Sequence, residues 1–367
     1  MEAFSNIWSN IQQKTLFYLE ESLGKLSAKE KELVYCFEEL ELEKFSNYLP
    51  INYIGRKRSN RLNLLKVFIA KFNYSIETNT NILERLEKDI SLRKLCGYNT
   101  VADIPSESTL SRAFAEISEY NIYSQLHDSL IKNSFKDHLV GHISRDSTAI
   151  NAREKPIGKY KKDEQKENKN KRGRPRKGDV REKPEKVVDI QARSSLDDNL
   201  INLPTECNFG TKKSSAGKKI TWKGYKLHID VVDGDIPISA CLTSASMHDS
   251  QASIPLAQMS KDKVINCYTL MDSAYDSNVL IDFSKKLDQV PIIDPNPRNN
   301  NTRTLDPAEK ERYKQRSSVE RVNSYLKDSY GANRIRVRGY AKIFSSLMIG
   351  ILLVSVKQIA RLCVMNT

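Results

Sequence analysis

The chain has 367 residues, a formal net charge of +13 and a sequence pI near 9.3. This length leaves room for a large core and for two domains, and the charge makes a polyanion the first partner to consider. The six cysteines form no CxxC pair and have no zinc-type spacing, which argues against a zinc module and favours reduced thiols in a cytosolic protein.

The first 140 residues have the pattern of helices throughout. Ser27 and Glu30 have the spacing of a capping box, and helical periodicity returns in four further segments between residues 61 and 135. Charge is balanced in this part, with 18 Lys and Arg against 19 Asp and Glu. We therefore predict a helical N-terminal domain over residues 1–140.

One pair of helices in this part has two interpretations. Gly97 separates two helical patterns, and Pro105 with Ser106 begins the next helix. This spacing is compatible with a helix-turn-helix that binds DNA ends, and the basic residues 55–61 favour that interpretation. An ordinary helical bundle gives the same pattern, so both interpretations stay open.

From residue 141 the pattern changes to that of a strand, and a basic segment follows it. Residues 151–186 contain almost no large apolar side chain and hold 15 Lys and Arg against 7 Asp and Glu. Such a segment cannot bury enough apolar surface to order itself, so we predict a flexible basic insertion. Residues 171–177 resemble an AT-hook, in which Arg172, Arg174 and Arg176 would enter an A·T minor groove. A solvated basic linker is an equally good interpretation.

The remainder of the chain alternates between strand and helix patterns. Two strand patterns flank a turn at Asp233 and Gly234, and helices then alternate with a strand that ends at Asp272 and with a short strand near residue 292. This order predicts an α/β fold, with a mixed sheet covered on both faces by helices, over residues 141–367. The apolar run at residues 344–356 is shorter than the roughly 20 residues that span a bilayer, so we interpret it as a buried core helix.

Residues 306–331 form the most informative predicted helix. Asp306 can act as its N-cap, Pro307 as its first residue, and Gly331 as its left-handed stop. At about 100° per residue, a polar stripe runs beside an apolar stripe of Val319, Val322 and Leu326. The members of the polar stripe are Tyr313, Arg316, Glu320 and Lys327. If the apolar stripe packs on the sheet, the helix presents Glu320 over the strand ends.

Two further carboxylates are candidates for the same site. Asp146 lies within a strand, where an acid is disfavoured, and Asp272 ends an apolar strand at the edge where α/β sheets place their chemistry. Taken singly, Arg316 with Glu320 could be a surface ion pair, and either aspartate could be a turn-former. Three converging carboxylates would repel one another unless a cation is bound. Mg²⁺ or Mn²⁺ is the natural guest, and a pair of such ions can promote phosphodiester cleavage.

These residues resemble the signature of the DDE transposases of bacterial insertion sequences, in the group that carries a Tyr-Arg-Glu-Lys motif. Asp146 and Asp272 stand as the two aspartates, and the spacing of Tyr313, Arg316, Glu320 and Lys327 matches in full. Residues 222–228 and 243–250 are also similar to segments of that family. The resemblance covers about residues 60–363.

The resemblance implies an RNase H-like catalytic domain with Asp146, Asp272 and Glu320 as catalytic residues and as ligands of two Mg²⁺ ions, which Mn²⁺ could replace. It also implies cleavage of double-stranded DNA at terminal inverted repeats and strand transfer into target DNA. Arg316 and Lys327 would contact phosphates of the terminal DNA, and Tyr313 would either do the same or stack. The protein would act as a homodimer or a higher synaptic complex in the bacterial cytoplasm, at the nucleoid.

Two departures and two alternatives accompany this resemblance. Ala274 stands where the signature usually has Gly, and only 47 residues separate Asp272 from Glu320, which leaves no room for the large β insertion of some members. The cleavage route, by hairpin or otherwise, therefore stays open. The alternatives are a metal-dependent nuclease of the same fold without strand transfer, and a DNA-binding relic that has lost catalysis.

Overall fold

The computed structural model describes residues 15–46, 58–135, 138–157, 185–213, 217–296 and 304–365. Most of the predicted basic insertion lies outside these ranges, including Arg172, Arg174 and Arg176. Part of the basic stretch 55–61 also lies outside them. Its described members Arg58 and Arg61 both form ion pairs with Glu116.

The described N-terminal part is helical, as predicted. The capping box at its second helix is confirmed, because the Ser27 hydroxyl accepts the Glu30 N–H and the Glu30 carboxylate accepts the Ser27 N–H. The helices are α1 Leu16–Leu23, α2 Ala28–Glu39, α3 Leu42–Ser46, α4 Arg61–Asn73, α5 Asn79–Lys88, α6 Ile90–Leu95, α7 Glu107–Glu119 and α8 Ile122–Phe135.

The second part is built on a mixed sheet of six described strands. They are β1 Leu139–Asn151, β2 Asn208–Lys213, β3 Lys219–Val232, β4 Ile236–Ser244, β5 Ile265–Met271 and β6 Val290–Ile293. Strand β3 is antiparallel to β1, β2 and β4, whereas β1, β5 and β6 run parallel. The hairpin between β3 and β4 turns at Asp233–Asp235, where Gly234 has a φ of +84°. This is the predicted α/β architecture of RNase H-like type.

Helices cover both faces of the sheet, also as predicted. The helices of this part are α9 Val187–Gln191, α10 Leu196–Ile201, α11 Ser253–Lys261, α12 Asn278–Lys286, α13 Pro307–Tyr313, α14 Ser317–Asp328 and α15 Tyr340–Met365. Helix α11 packs on β3 and β4 from one face, and α14 packs on β1 and β3 from the other. The sequence analysis assigned no element to residues 187–213, where α9, α10 and β2 lie.

The predicted single helix over residues 306–331 is wrong in one respect. Its start is as predicted, because Asp306 accepts the Glu309 N–H at 2.7 Å and Pro307 is the first helical residue. A 3₁₀ turn at Lys314–Arg316 then separates α13 from α14, and α14 ends at Asp328. Gly331 does have a left-handed φ of +72°, but it lies three residues beyond the helix. The turn tightens the chain between Tyr313 and the residues that follow it.

The last helix joins the two parts of the molecule. By length and composition α15 could cross a membrane, but 78% of its apolar window is buried inside the protein, so it is a core helix as predicted. It packs on α4, α7 and α8 of the N-terminal part and on β4 of the sheet. One continuous apolar core therefore extends from the N-terminal helices to the sheet.

Candidate active site

Two neighbouring parallel strands bring the aspartates together. The pairing of β1 with β5 extends to Ser144 and Leu270, and Asp146 and Asp272 each follow two residues later. Because neighbouring strands are about 4.8 Å apart, the two acids lie at one level of the sheet where β5 ends. The Asp272 side chain also caps the turn after β5 by accepting the Ala274 N–H at 2.9 Å.

Helix α14 is anchored beside these strands by its apolar stripe. Val319, Val322 and Leu326 are fully buried, so the predicted packing of this stripe is confirmed. The Ser144 hydroxyl on β1 donates to the carbonyl oxygen of Gln315 at 3.2 Å, which ties the 3₁₀ turn to the strand. Asp146 lies two residues after Ser144 and shares its face of the strand.

Arg316 brings the three predicted acids into one constellation. Its Nη1 donates to Glu320 Oε1 at 2.7 Å, and its Nη2 lies 3.5 Å from Asp146 Oδ1 and 4.0 Å from Asp272 Oδ2. The Arg316 side chain is 16% exposed and that of Glu320 is 59% exposed. A single half-buried guanidinium therefore faces two aspartates on the strands and one glutamate on the helix.

The pKa of both aspartates is raised, although Arg316 favours their ionised forms. Burial raises the pKa of Asp146 to about 6, with Asp272 and Asp249 adding to the rise and Arg316 opposing it. Burial also raises the pKa of Asp272, against the effect of its hydrogen bond from Ala274 and of Arg316. Additional positive charge at this position would stabilise both carboxylates in their ionised forms.

Tyr313 and Lys327 lie at opposite ends of this constellation. Tyr313 packs on the small core formed by Leu270, Ile292 and Leu305, and burial raises its pKa to about 12. Lys327 is half-buried near the end of α14. Burial and the neighbouring Lys212 lower its pKa, whereas Asp146 opposes that change.

The site is not a ready-made metal centre. Within the described ranges, no group of three or more His, Cys, Asp or Glu side chains is close enough to hold a metal ion. The guanidinium of Arg316 lies within 4.0 Å of each of the three carboxylates. Their chemistry nevertheless fits a hard divalent cation, because carboxylate oxygens are its preferred ligands and both aspartates lack full charge compensation.

Two ion pairs that support the site were missed by the sequence analysis. Arg145 and Asp230 form a fully buried bidentate pair, with both N–O distances 2.7 Å, on the opposite face of β1 from Asp146. Lys226 pairs with Asp249 at 2.9 Å, next to the aspartates. Charged residues inside strands that are otherwise apolar, as at 145 and 230, are the signal that could have revealed the first pair.

Comparison with known families agrees with this geometry. Residues 190–356 match the family model described as "Transposase DDE domain", and residues 21–116 match the family model described as "Transposase domain (DUF772)". The first match includes Asp272 and Glu320 but begins after Asp146. No curated protein and no solved structure shows a significant match to the chain.

Proposed function

Because the chain belongs to the DDE-type transposases of insertion sequences, we propose that it cuts DNA at the ends of such an element and joins the freed ends to target DNA. One observation carries the chemical part of this proposal. Asp146, Asp272 and Glu320 approach the same guanidinium from two strands and a helix. Carboxylates gathered in this way are suitable ligands for the divalent ions that promote phosphoryl transfer.

In this proposal the three acids are the catalytic residues and would hold Mg²⁺, or Mn²⁺ in its place, as a pair of ions. When bound, the metal supplies activation of water or of a 3′-hydroxyl and charge for the leaving oxygen. The fit is supported by the raised pKa of Asp146 and Asp272, since a carboxylate that is costly to ionise gains most from a bound cation.

The neighbouring polar residues have supporting roles. Arg316 holds the exposed carboxylate of Glu320 in place through its hydrogen bond of 2.7 Å. We assign Arg316, Lys327 and Tyr313 to contacts with terminal DNA, because they flank the acids and two of them are cationic. Arg172, Arg174 and Arg176 would add minor-groove contacts from the basic insertion.

The partners follow from the reaction. Two element ends must be cut and joined together, so we propose a homodimer or a higher synaptic complex that binds two terminal inverted repeats and target DNA. A substrate of this kind places the protein in the bacterial cytoplasm, at the nucleoid.

The test incubates purified protein with duplexes carrying the repeats that flank its gene, in the presence of Mg²⁺, and separates cleaved from joined products. We expect both products from the parent protein. Glu320→Gln should lose both while binding end DNA within a few fold of the parent, and Glu311→Gln, on the exposed face of α13, should retain both.

Other results of this assay would contradict particular parts of the proposal. Cleavage without joining, when a 3′-hydroxyl is available, would support a nuclease and contradict strand transfer. Binding without cleavage by the parent would contradict the catalytic proposal as a whole. Full activity in Glu320→Gln would remove that residue from the catalytic set.

A further inference from the structure

The segment that follows α14 presents a row of arginines that the proposed catalytic site does not use. Over residues 334–338 the side chains alternate in burial: Ile335 is buried and Val337 packs on the core, whereas the arginines between them are exposed. These arginines are Arg334, Arg336 and Arg338. Alternation of this kind is typical of an extended chain, which sets every second side chain about 6.6 Å apart on one side.

This row forms one wall of a groove at the junction between the N-terminal helices and the sheet. Three adjoining hollows make up this junction groove. Its lining also includes Lys71 on α4, Arg153 after β1 and Lys342 at the start of α15. Ser75 Oγ donates to the Ser329 carbonyl oxygen at 2.9 Å and Glu154 accepts the Gly339 N–H at 3.0 Å, so both ends of the segment are fixed.

Positive charge is in excess along the junction groove. Among the described residues that line it, seven are Lys or Arg and two, Glu77 and Asp328, are acidic. Glu77 pairs with Arg334 and Arg336. The other five cations of the lining have no ion pair inside the described part of the chain; they are Lys71, Arg153, Lys327, Arg338 and Lys342. Burial, and to a lesser extent repulsion from the neighbouring Arg336, lowers the pKa of Lys71 to about 8. An anion bound along the groove would relieve this repulsion.

Lys327 links the junction groove to the candidate active site, because it lines the groove and also interacts with Asp146. Lys327 lines the same hollow as Arg334 and Arg336, and it lies two turns of α14 after Glu320. A polyanion held in the active site could therefore extend along the groove towards the N-terminal helices.

We propose that the junction groove binds the phosphate backbone of duplex DNA that leads away from the catalytic carboxylates. The assignment to DNA rests on the proposed function, whereas the assignment to a polyanion rests on the groove itself. Phosphate contact fits better than base stacking, because no described aromatic side chain of the lining is exposed as a platform. Phe68 and Phe114 are buried, and Phe72 and Tyr330 are half-buried against the core. Binding of this type is independent of sequence.

The test measures binding of the full-length protein to a 30-bp duplex of arbitrary sequence at several salt concentrations, with a chelator present so that no cleavage occurs. The variant Arg153→Ala/Arg334→Ala/Arg338→Ala removes three exposed cations. We expect the slope of log K against log salt to fall in magnitude by roughly 2–3, at about 0.9 per phosphate contact, and the affinity to fall at least about ten-fold.

Two matched variants distinguish an effect of the groove from an effect of the overall charge of the protein. Replacement of the same three arginines by Lys should keep affinity and salt slope near those of the parent, because point charges suffice for phosphate contact. Lys261→Ala/Lys285→Ala/Lys286→Ala removes three exposed cations from α11 and α12, outside the groove, and should leave the slope unchanged. Melting temperatures of all variants report whether they are folded.

The proposal would be overturned by a folded triple alanine variant with the parental slope and an affinity within two-fold of the parent. It would also be overturned by equal losses of affinity and salt slope in the α11 and α12 variant. The binding assay contains no metal, so its result does not depend on catalysis. If the protein fails to cut in the separate Mg²⁺ assay but shows the expected salt slopes here, the proposed function is contradicted and the assignment of the groove to a polyanion stands.

Discussion

Arg316 is the residue on which the candidate site depends in the absence of metal. Three carboxylates near one point would repel one another, and burial already makes Asp146 and Asp272 costly to ionise. The guanidinium reduces both costs and fixes Glu320 by a direct hydrogen bond. The sequence spacing predicted which acids would meet and which arginine would accompany them. It could not predict that the guanidinium would lie between all three, because that depends on the depth at which the strands and α14 pack.

Removal of one partner from the buried Arg145–Asp230 pair should strongly destabilise the protein. Arg145→Met leaves Asp230 buried without its counter-charge, so we expect the free energy of unfolding to fall by about 3–5 kcal/mol in urea denaturation. The double variant Arg145→Met/Asp230→Leu should recover part of that loss.

The exposed pair Arg321–Asp235 provides the control for this prediction. It has a similar N–O distance of 2.7 Å, but the Arg321 side chain is 48% exposed and that of Asp235 is 15% exposed, so water reaches both partners. Arg321→Met should therefore cost only about 0–1 kcal/mol. Equal losses at the two sites would show that burial does not determine the strength of the Arg145–Asp230 pair.

Acid should destabilise the protein partly through His127. This histidine is buried, and its Nε2 donates to the Pro237 carbonyl oxygen at 3.0 Å between α8 and β4. Burial, aided by Lys263, lowers its pKa to about 4, below the ordinary value of 6.5. Between pH 4 and pH 6.5 the unfolded chain binds a proton at His127 more readily than the folded protein does. The contribution of neutral His127 to the free energy of unfolding is therefore complete above pH 6.5 and is lost as the pH falls towards 4. The loss is on the order of 3 kcal/mol.

The measurement is the free energy of unfolding at pH 7 and at pH 4.5 for the parent and for His127→Gln. The variant should lose less stability than the parent on acidification, whereas His248→Gln, at an exposed position, should behave as the parent does. An unchanged pH dependence in His127→Gln would contradict this assignment.

At the scale of elements, the predictions are confirmed where residues close in sequence determine the local structure. The caps at Ser27 and Asp306, the hairpin at Gly234 and the apolar stripe of α14 each depend on residues close in sequence. The 3₁₀ turn at Lys314–Arg316 was not predicted, because no proline or glycine marks it and the turn is joined to β1 by Ser144. The elements between residues 187 and 213 were missed since they are short and pack mainly on distant parts of the chain.

The start of α13 offers a direct test of the capping rule. Asp306→Ala removes the acceptor for the Glu309 N–H, so the free energy of unfolding should fall by about 1 kcal/mol. Asp306→Asn keeps an acceptor oxygen and should change stability by only a few tenths of a kcal/mol. Chemical denaturation of both variants measures the difference, and equal losses would show that the hydrogen bond contributes little.

At the scale of the whole molecule, α15 links the N-terminal helices to the sheet through one core. The division at residue 140 stays a prediction, although the change from helical to mixed structure does occur there. The continuous core also fixes both walls of the junction groove relative to the acids. Sequence periodicity could not have predicted this groove, because its lining comes from α4, from the end of β1 and from the segment after α14, which are far apart in the sequence.

The central claim is that Asp146, Asp272 and Glu320 together hold the catalytic metal. Calorimetric titration of the full-length protein with Mn²⁺ tests it most directly, with Asp262→Asn, at an exposed position on the far end of α11, as the control. We expect saturable binding in the parent and in the control, and its loss in both Asp146→Asn and Asp272→Asn. Undiminished Mn²⁺ binding in these two folded variants would contradict the claim.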